Sequence, residues 1–208
     1  MPARSIIYVD GFNFYYGAVR GSSHKWLNLA LCFRHLRPHD QIQRIHYFTA
    51  IVDGETRTNQ EIYLRALATT PEVNVILGKF KFKERKCQVT SCTFNGSRTF
   101  VMPEEKRTDV NIAVQLLRDI YHDNADRFIV VSGDSDLVPA LNLAKSEAPE
   151  KKIIVYVPSR NPTRGAAVEL RSAADRNRTF PLRLLSVSQF PSALPDGQGG
   201  FIHKPAGW

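Results

Sequence analysis

Short apolar runs rich in β-branched residues alternate along the chain with segments whose apolar residues recur at helical spacing. Five runs predict strands, and they lie at 5–10, 41–52, 73–83, 127–134 and 151–158. Most are apolar throughout instead of alternating, which is typical of strands buried on both faces of a sheet. The alternation therefore predicts an α/β fold in which helices cover both faces of a mostly parallel sheet.

Helical spacing marks the segments between these runs. The predicted helices lie at 28–38, 56–71, 108–122, 136–146 and 164–175, with a short edge piece at 178–184. The clearest is 108–122, in which apolar residues recur at intervals of three and four and are expected to face the core. Those residues are Val110, Ala113, Val114, Leu117 and Tyr121.

Composition is consistent with one domain over residues 1–185, carrying a basic, irregular insertion at about 84–103. Asn-Gly at 95–96 predicts a hairpin within that insertion. The tail at 186–208 is rich in Gly and Pro, and we expect it to be disordered or loosely attached.

Charge and cysteine content favour a cytoplasmic protein with a polyanionic partner. The 28 Lys and Arg residues exceed the 20 Asp and Glu residues, giving a net charge of +8. No apolar run approaches the roughly 20 residues that span a bilayer, so we expect no membrane contact. The N-terminus lacks the apolar core of a signal peptide, and three cysteines fit reduced thiols better than a disulfide framework.

Four carboxylates stand where predicted strands end or helices begin: Asp10, Asp109, Asp134 and Asp136. Ligands of open parallel sheets bind outside the carboxyl ends of the strands, where we expect these groups to converge. Two carboxylates ~4 Å apart repel by about 4 kcal/mol at an effective dielectric near 20, so a cation is expected among them. Mg²⁺ or Mn²⁺ fits an all-oxygen site, and on a basic protein it indicates attack on phosphodiesters.

Each acid also has a purely structural explanation. Asp134 and Asp136 suit helix capping, Asp109 is an ordinary first-turn charge, and Asp10 belongs to an Asp-Gly turn. Other common sites fit poorly, since the chain has no G-x-G-x-x-G after a strand, no P-loop, no EF-hand loop and no G-x-S-x-G. Phe12 occupies the position where an aspartyl phosphatase would need its second Asp.

Three sequence blocks resemble the NYN domain, a branch of the PIN-like nuclease superfamily. They read YVDGFNFYYG at 8–17, EKRTDVNIAVQLLRD at 105–119 and VVSGDSDLVPAL at 130–141, and the resemblance covers roughly residues 4–160. It implies a Rossmann-like three-layer αβα sandwich with metal-dependent ribonuclease activity. The four Asp residues match the family's acidic positions, and Asn13 matches the Asn that supports the site. Supporting hydrogen bonds are expected from Ser132, Ser135, Thr108 and Asn111.

The mechanism expected from the residues agrees with this resemblance. One or two Mg²⁺ or Mn²⁺ ions held by the acids would activate a water for in-line attack, leaving a 5′-phosphate and a 3′-hydroxyl.

Basic and aromatic residues beside the cleft are candidates for nucleic-acid binding. They are Lys79, Lys81, Lys83, Arg85, Lys106, Arg107 and Tyr16. The alternative for the 79–83 segment is an amphipathic edge strand whose Phe side lies in the core and whose lysines oppose aggregation. The alternative for Tyr16 is a place in the core.

Cys87 and Cys92 raise the question of zinc, but a second ligand pair is missing unless His122 or His24 contributes. Unpaired thiols fit these positions better.

Three functions are compatible with these features. The first is a metal-dependent ribonuclease acting on single-stranded RNA, the second a nucleic-acid-binding module with weak or no catalysis. The third is a Mg²⁺-dependent phosphohydrolase of a small phosphorylated substrate. RNA against DNA, endo- against exonucleolytic action, one metal against two, and a homodimer are left open.

Overall fold

The computed structural model describes residues 1–51, 54, 57–160 and 168–208. Six strands form one sheet in the order β3-β2-β1-β6-β7-β8, and every pairing within it is parallel. This confirms the predicted α/β class. The described strands are β1 Ala3–Asp10, β2 Asp40–Thr49, β3 Val73–Leu77, β4 Lys79–Lys86, β5 Thr99–Lys106, β6 Arg127–Val131, β7 Lys152–Val157, β8 Arg176–Thr179, β9 Ala193–Pro195 and β10 Phe201–His203.

Helices cover both faces of the sheet. They are α1 Gly11–Phe14, α2 Leu29–Leu36, α3 Arg57–Ala68, α4 Thr108–Tyr121, α5 Val138–Glu147, α6 Val168–Ala173 and α7 Arg183–Ser186. A π-helical turn at Tyr15–Val19 extends α1, and a 3₁₀ turn at Ser135–Leu137 precedes α5. Parts of the predicted segments, at 52, 56 and 164–167, lie outside the described residues. No helix in the described part of the chain is both long and apolar enough to cross a bilayer.

Alternate residues of the buried strands feed two separate cores. Ile7 and Val9 of β1 pack with α2, α3 and α7, whereas Ile6 and Tyr8 pack with α4, α5 and α6. Burial on both faces explains why these strands read as continuous apolar runs.

The chain winds in two directions from the centre of the sheet. From β1 it proceeds outward through β2 to β3, and from β6 it proceeds the other way through β7 to β8. β1 and β6 are therefore neighbours at a topological switch point, and the crevice beyond their carboxyl ends is where such sheets bind ligands.

The predicted strand at 73–83 is two strands. β3 ends at Leu77, Gly78 follows, and β4 leaves the sheet to pair with β5 in a separate antiparallel hairpin. A Cβ on Gly78 would lie 2.8 Å from the Lys106 carbonyl oxygen and 2.9 Å from Thr108 Oγ1, so only glycine allows this close return of β5.

The expectation that Val110, Val114 and Tyr121 face the core is wrong. Their exposed fractions are 64%, 61% and 86%, because α4 buries a neighbouring stripe instead. That stripe consists of Thr108, Ile112, Leu116, Asp119 and Ile120. Asp119 ties this stripe to the sheet, because its carboxylate accepts a 2.7 Å hydrogen bond from the hydroxyl of Tyr8 in β1.

The expectation of a loosely attached tail is also wrong. β9 and β10 form a hairpin whose Ile202 joins the core formed with α2, α3 and α7, and the Trp208 ring lies 5.7 Å from the Tyr63 ring. Trp26 Nε1 donates a 2.8 Å hydrogen bond to the carbonyl oxygen of Pro191. A few apolar residues among the glycines and prolines are sufficient to fix this segment.

Candidate active site

Asp10 is the buried centre of the predicted acid cluster. It ends β1 and caps α1, since its Oδ1 accepts a 3.0 Å hydrogen bond from the backbone N–H of Asn13. Its Oδ2 accepts a 2.9 Å hydrogen bond from Ser132 Oγ. Both carboxylate oxygens therefore have fixed directions.

The loop after β6 is tied to the loop after β1. The backbone N–H of Gly133 donates to Asn13 Oδ1 at 3.0 Å, and the backbone N–H of Asp134 donates to Ser132 Oγ at 3.1 Å. Asp134 Oδ1 then accepts from the backbone N–H of Asp136 at 2.9 Å, which caps the 3₁₀ turn. Asn13 and Ser132 thus lie where supporting groups were predicted, and the capping explanation for Asp134 also holds.

Asp109 approaches from the first turn of α4. Burial raises its pKa, and the negative charges of Asp134 and Asp136 raise it further. Burial also raises the pKa of Asp10, to about 6, and the negative charges of Asp109 and Asp134 contribute to the rise. The hydrogen bonds from Asn13 and Ser132 act in the opposite direction and lower this pKa. The charges of the four predicted acids therefore act on one another, and the four form one cluster.

A fifth carboxylate, Glu105, lies in the cluster, although the sequence patterns did not predict it. Burial raises its pKa to about 7, and the charges of Asp10 and Asp109 contribute. Thr108 Oγ1 donates a hydrogen bond to its Oε1. Glu105 comes from β5, so finding it would have required recognising that the hairpin returns the chain to the sheet at this point.

The remaining supporting residues contribute less. Among the described residues, the side chains of Ser135 and Asn111 make no hydrogen bond to the five carboxylates; Asn111 only donates its backbone N–H to the carbonyl oxygen of Arg107. Arg107 has a left-handed backbone with φ 83° and an exposed side chain.

The carboxylates do not form a preassembled metal site in the described part of the chain. In the described part of the chain, none of the five carboxylates is paired with a Lys or Arg. Hydrogen bonds such as those from Asn13 and Ser132 to Asp10 offset part of their mutual repulsion. No three His, Cys, Asp or Glu side chains among the described residues close around one position. A Mg²⁺ ion bound here would have to keep several of its waters, as it does when only one or two carboxylates bind it.

The predicted basic residues of β4 and β5 lie on the face of the hairpin opposite Glu105. Side chains alternate along β4, and residues directly opposite in the pairing share a face. Lys79, which pairs with Lys106, therefore shares its face with Lys81, Lys83 and Arg85, whereas Glu105 pairs with Phe80 on the opposite face. On the basic face, Glu104 forms ion pairs with Lys83 at 2.6 Å and Lys106 at 2.5 Å.

Tyr16 is exposed, with the Arg20 guanidinium 5.1 Å from its ring centre. Its predicted alternative as a core residue is therefore wrong.

The cysteines of the hairpin tip are free thiols. A hydrogen bond between the Cys87 thiol and the backbone of Val89 lowers the pKa of Cys87. Hydrogen bonds with the side chains of Cys92 and Arg98 lower it further. The described residues provide no third and fourth ligand for zinc.

Comparison with known proteins supports the fold and the family. A family model for the NYN domain matches residues 4–182. The chain is 30% identical over 240 aligned residues to 6-hydroxy-3-succinoylpyridine 3-monooxygenase HspA of Pseudomonas putida, covering 100% of this chain and 76% of that protein. The crystal structure of a protein of unknown function from Vibrio parahaemolyticus matches with a TM-score of 0.55 and 18% identity, covering 86% of this chain and 94% of that one. That likeness concerns the fold alone and is consistent with a PIN-like architecture.

Proposed function

Because the chain belongs to the NYN domain family, whose superfamily is nuclease-like, we propose that it is a metal-dependent ribonuclease acting on single-stranded RNA. The proposal is supported by five carboxylates grouped around the buried Asp10, whose charges act on one another and which have no basic partner among the described residues. A cluster of this kind is electrostatically costly unless a cation completes it.

In this proposal the acidic residues bind the ion and two polar residues hold the acids in place. Asp10, Asp109, Asp134 and Asp136 would hold the ion or its water shell, and Glu105 adds a fifth oxygen ligand. Asn13 and Ser132 fix the two loops that carry Asp10 and Asp134. A bound Mg²⁺ or Mn²⁺ supplies a water of lowered pKa and offsets the charge that develops on the phosphate.

The direct test is incubation of the purified protein with end-labelled single-stranded RNA in Mg²⁺, Mn²⁺ or EDTA. We expect cleavage that requires the metal, leaves 5′-phosphate ends and is lost in Asp10→Asn and Asp134→Asn. Glu150→Gln is the matched control, since Glu150 is exposed in the turn before β7, at the amino-terminal ends of the strands and away from the candidate site. Cleavage that survives both aspartate substitutions refutes the assignment of the site, and binding without cleavage favours a binding module.

A second candidate comes from the Pseudomonas relative, whose name describes oxygenation of a substituted hydroxypyridine. Identity of 30% over the whole chain makes this activity worth a direct assay. The protein would be incubated with 6-hydroxy-3-succinoylpyridine, a reductant and dioxygen, and products would be identified by mass. Turnover of that compound without RNA cleavage would replace the nuclease proposal.

A further inference from the structure

The β4–β5 hairpin projects from the domain with little support. It forms its own two-stranded sheet outside the six-stranded one. At its base the Phe80 ring packs edge-to-face on Phe12, with ring centres 5.4 Å apart. A two-stranded hairpin alone is marginally stable in water, so the exposed outer part of this one is suited to a partner.

One face of the hairpin carries an apolar strip that begins beside Glu105 of the acid cluster. Phe80 and Glu105 are paired on that face, followed outward by the pair Phe82 and Pro103. Val101 lies opposite Glu84 in the next pair on the same face. Phe82 is 56% exposed and Val101 60% exposed, so an apolar strip leads directly away from the candidate active site.

The charge of the hairpin decides which kind of partner fits this strip. Residues 79–106 contain seven Lys and Arg residues but three Glu residues, which gives half of the chain's net charge of +8. Two copies of such a hairpin would repel each other, whereas a polyanion would be attracted. Lys79, Lys81 and Lys83 lie on the face opposite the strip. Their long flexible stems allow the ammonium groups to reach phosphates of a strand whose bases contact the strip.

We propose that the apolar face of the hairpin receives the unpaired bases of a single-stranded nucleic acid, with Phe82 as the residue on which a base stacks. The proposal rests on the nuclease function proposed above and explains how that site would select single strands. Bases in a duplex are stacked on one another and cannot reach the ring, whereas unpaired bases stack readily on aromatic side chains.

The test separates binding from cleavage by working in EDTA. The probe is a fluorescein-labelled 12-nucleotide oligouridylate, titrated with the full chain and followed by anisotropy. Removing a base–aromatic stack costs about 1–3 kcal/mol, so Phe82→Ala should weaken binding about fivefold or more. Phe82→Trp should bind like the unmodified protein, and its fluorescence should be quenched when the oligonucleotide binds.

Phe100→Ala is the matched control, because Phe100 is 51% exposed and pairs with Arg85 on the opposite face. It should change the affinity by less than about twofold. A 12-base-pair RNA duplex should bind weakly, and its affinity should be insensitive to Phe82→Ala. Unchanged thermal midpoints would show that both variants are folded, as expected for exposed side chains.

The outcomes distinguish this inference from the proposed function. Equal effects of Phe82→Ala and Phe100→Ala on the oligouridylate overturn the stacking role, even if cleavage occurs. A loss specific to Phe82→Ala, with no metal-dependent cleavage, supports single-strand docking and removes the nuclease. Concentration-dependent dimerisation that Phe82→Ala abolishes, without oligonucleotide binding, overturns the inference in favour of a second copy.

Discussion

Ser132 Oγ donates a hydrogen bond of 2.9 Å to Asp10 Oδ2, and both residues are buried. The same hydroxyl oxygen accepts the backbone N–H of Asp134 at 3.1 Å. One serine thus fixes the direction of the central carboxylate and the course of the loop that carries a second one. Its contribution to the site is positional, since it acts through Asp10 and Asp134.

We therefore expect Ser132→Ala to alter the titration of Asp10. The hydrogen bond from Ser132 lowers the pKa of Asp10 against the effect of burial, so its removal should raise that pKa further. Activity that needs the ionised carboxylate should then rise at a higher pH, and the free energy of unfolding should fall by about 1–3 kcal/mol. Cleavage rates between pH 5 and 9, together with urea unfolding, measure both effects.

Ser146→Ala is the control for that experiment, because the Ser146 hydroxyl donates to the carbonyl oxygen of Leu143 in an exposed turn of α5. An unchanged pH profile in Ser132→Ala would contradict the positioning role.

The raised pKa of Glu105 makes the metal-free protein less stable as pH rises. The folded-state pKa is about 7 against an ordinary 4.5, so the protonated form contributes stability that is full below about pH 4.5 and lost as pH rises through 7. In EDTA, Glu105→Gln should therefore raise the thermal midpoint at pH 8, and this gain should disappear towards pH 5.

The neighbouring Glu104 has a lowered pKa, so its contribution to stability has the opposite pH dependence. Hydrogen bonds from Lys106 and Lys83 lower the pKa of Glu104 to about 2, so its charged form is stabilised above its ordinary pKa. Glu104→Gln should give no increase in midpoint at pH 8. A gain in Glu104→Gln equal to that in Glu105→Gln would mean that hairpin charge in general, not the acid cluster, limits stability.

A divalent cation should counter the repulsion among the carboxylates of the acid cluster. We expect 5 mM MgCl₂ or MnCl₂ to raise the thermal midpoint at pH 8, where the cluster is ionised, and to have little effect at pH 5, where Asp10 and Glu105 bind protons. In Asp109→Asn the metal-free protein should be more stable at pH 8 and the response to metal smaller. An equal response in Asp109→Asn and the unmodified protein would place the ion elsewhere.

The sheet and four of its acids could be predicted because the relevant signals are local. A buried parallel strand has a continuous apolar run. Asp10 ends β1, Asp134 and Asp136 come shortly after β6, and Asp109 lies in the first turn of α4. The carboxyl ends of neighbouring parallel strands necessarily meet, so convergence follows from topology.

The errors arose where the outcome depends on distant residues. The sequence of α4 has apolar residues on two stripes, and periodicity alone cannot choose between Val110 and Ile112. The stripe that is buried packs Ile112 and Leu116 into the core and carries Asp119, whose carboxylate accepts a 2.7 Å hydrogen bond from the distant Tyr8. Glu105 was missed for a similar reason, since only the register of the hairpin brings it to the cluster.

Gly17 should resist substitution because it allows the π-helical turn to approach the end of β7. A Cβ at this position would lie 2.1 Å from the carbonyl oxygen of Pro158, so the backbone must move. We expect Gly17→Ala to lower the free energy of unfolding by about 1–3 kcal/mol. The control is Gly96→Ala, whose added Cβ meets only the exposed ring of Phe94. Equal midpoints in urea for the two variants would contradict this account.

The C-terminal hairpin provides a test of whether the tail belongs to the folded core. Ile202 and Phe201 are adjacent in β10, but Ile202 is buried in the core formed with α2 and α3, whereas the ring of Phe201 is exposed. Ile202→Ala should therefore reduce the free energy of unfolding by about 2–4 kcal/mol, because it removes buried methyl groups and leaves a cavity. Phe201→Ala removes more atoms but should change it by less than about 0.5 kcal/mol. Urea unfolding of both variants decides the matter, since equal small effects would mean that the segment is peripheral to folding despite its contacts.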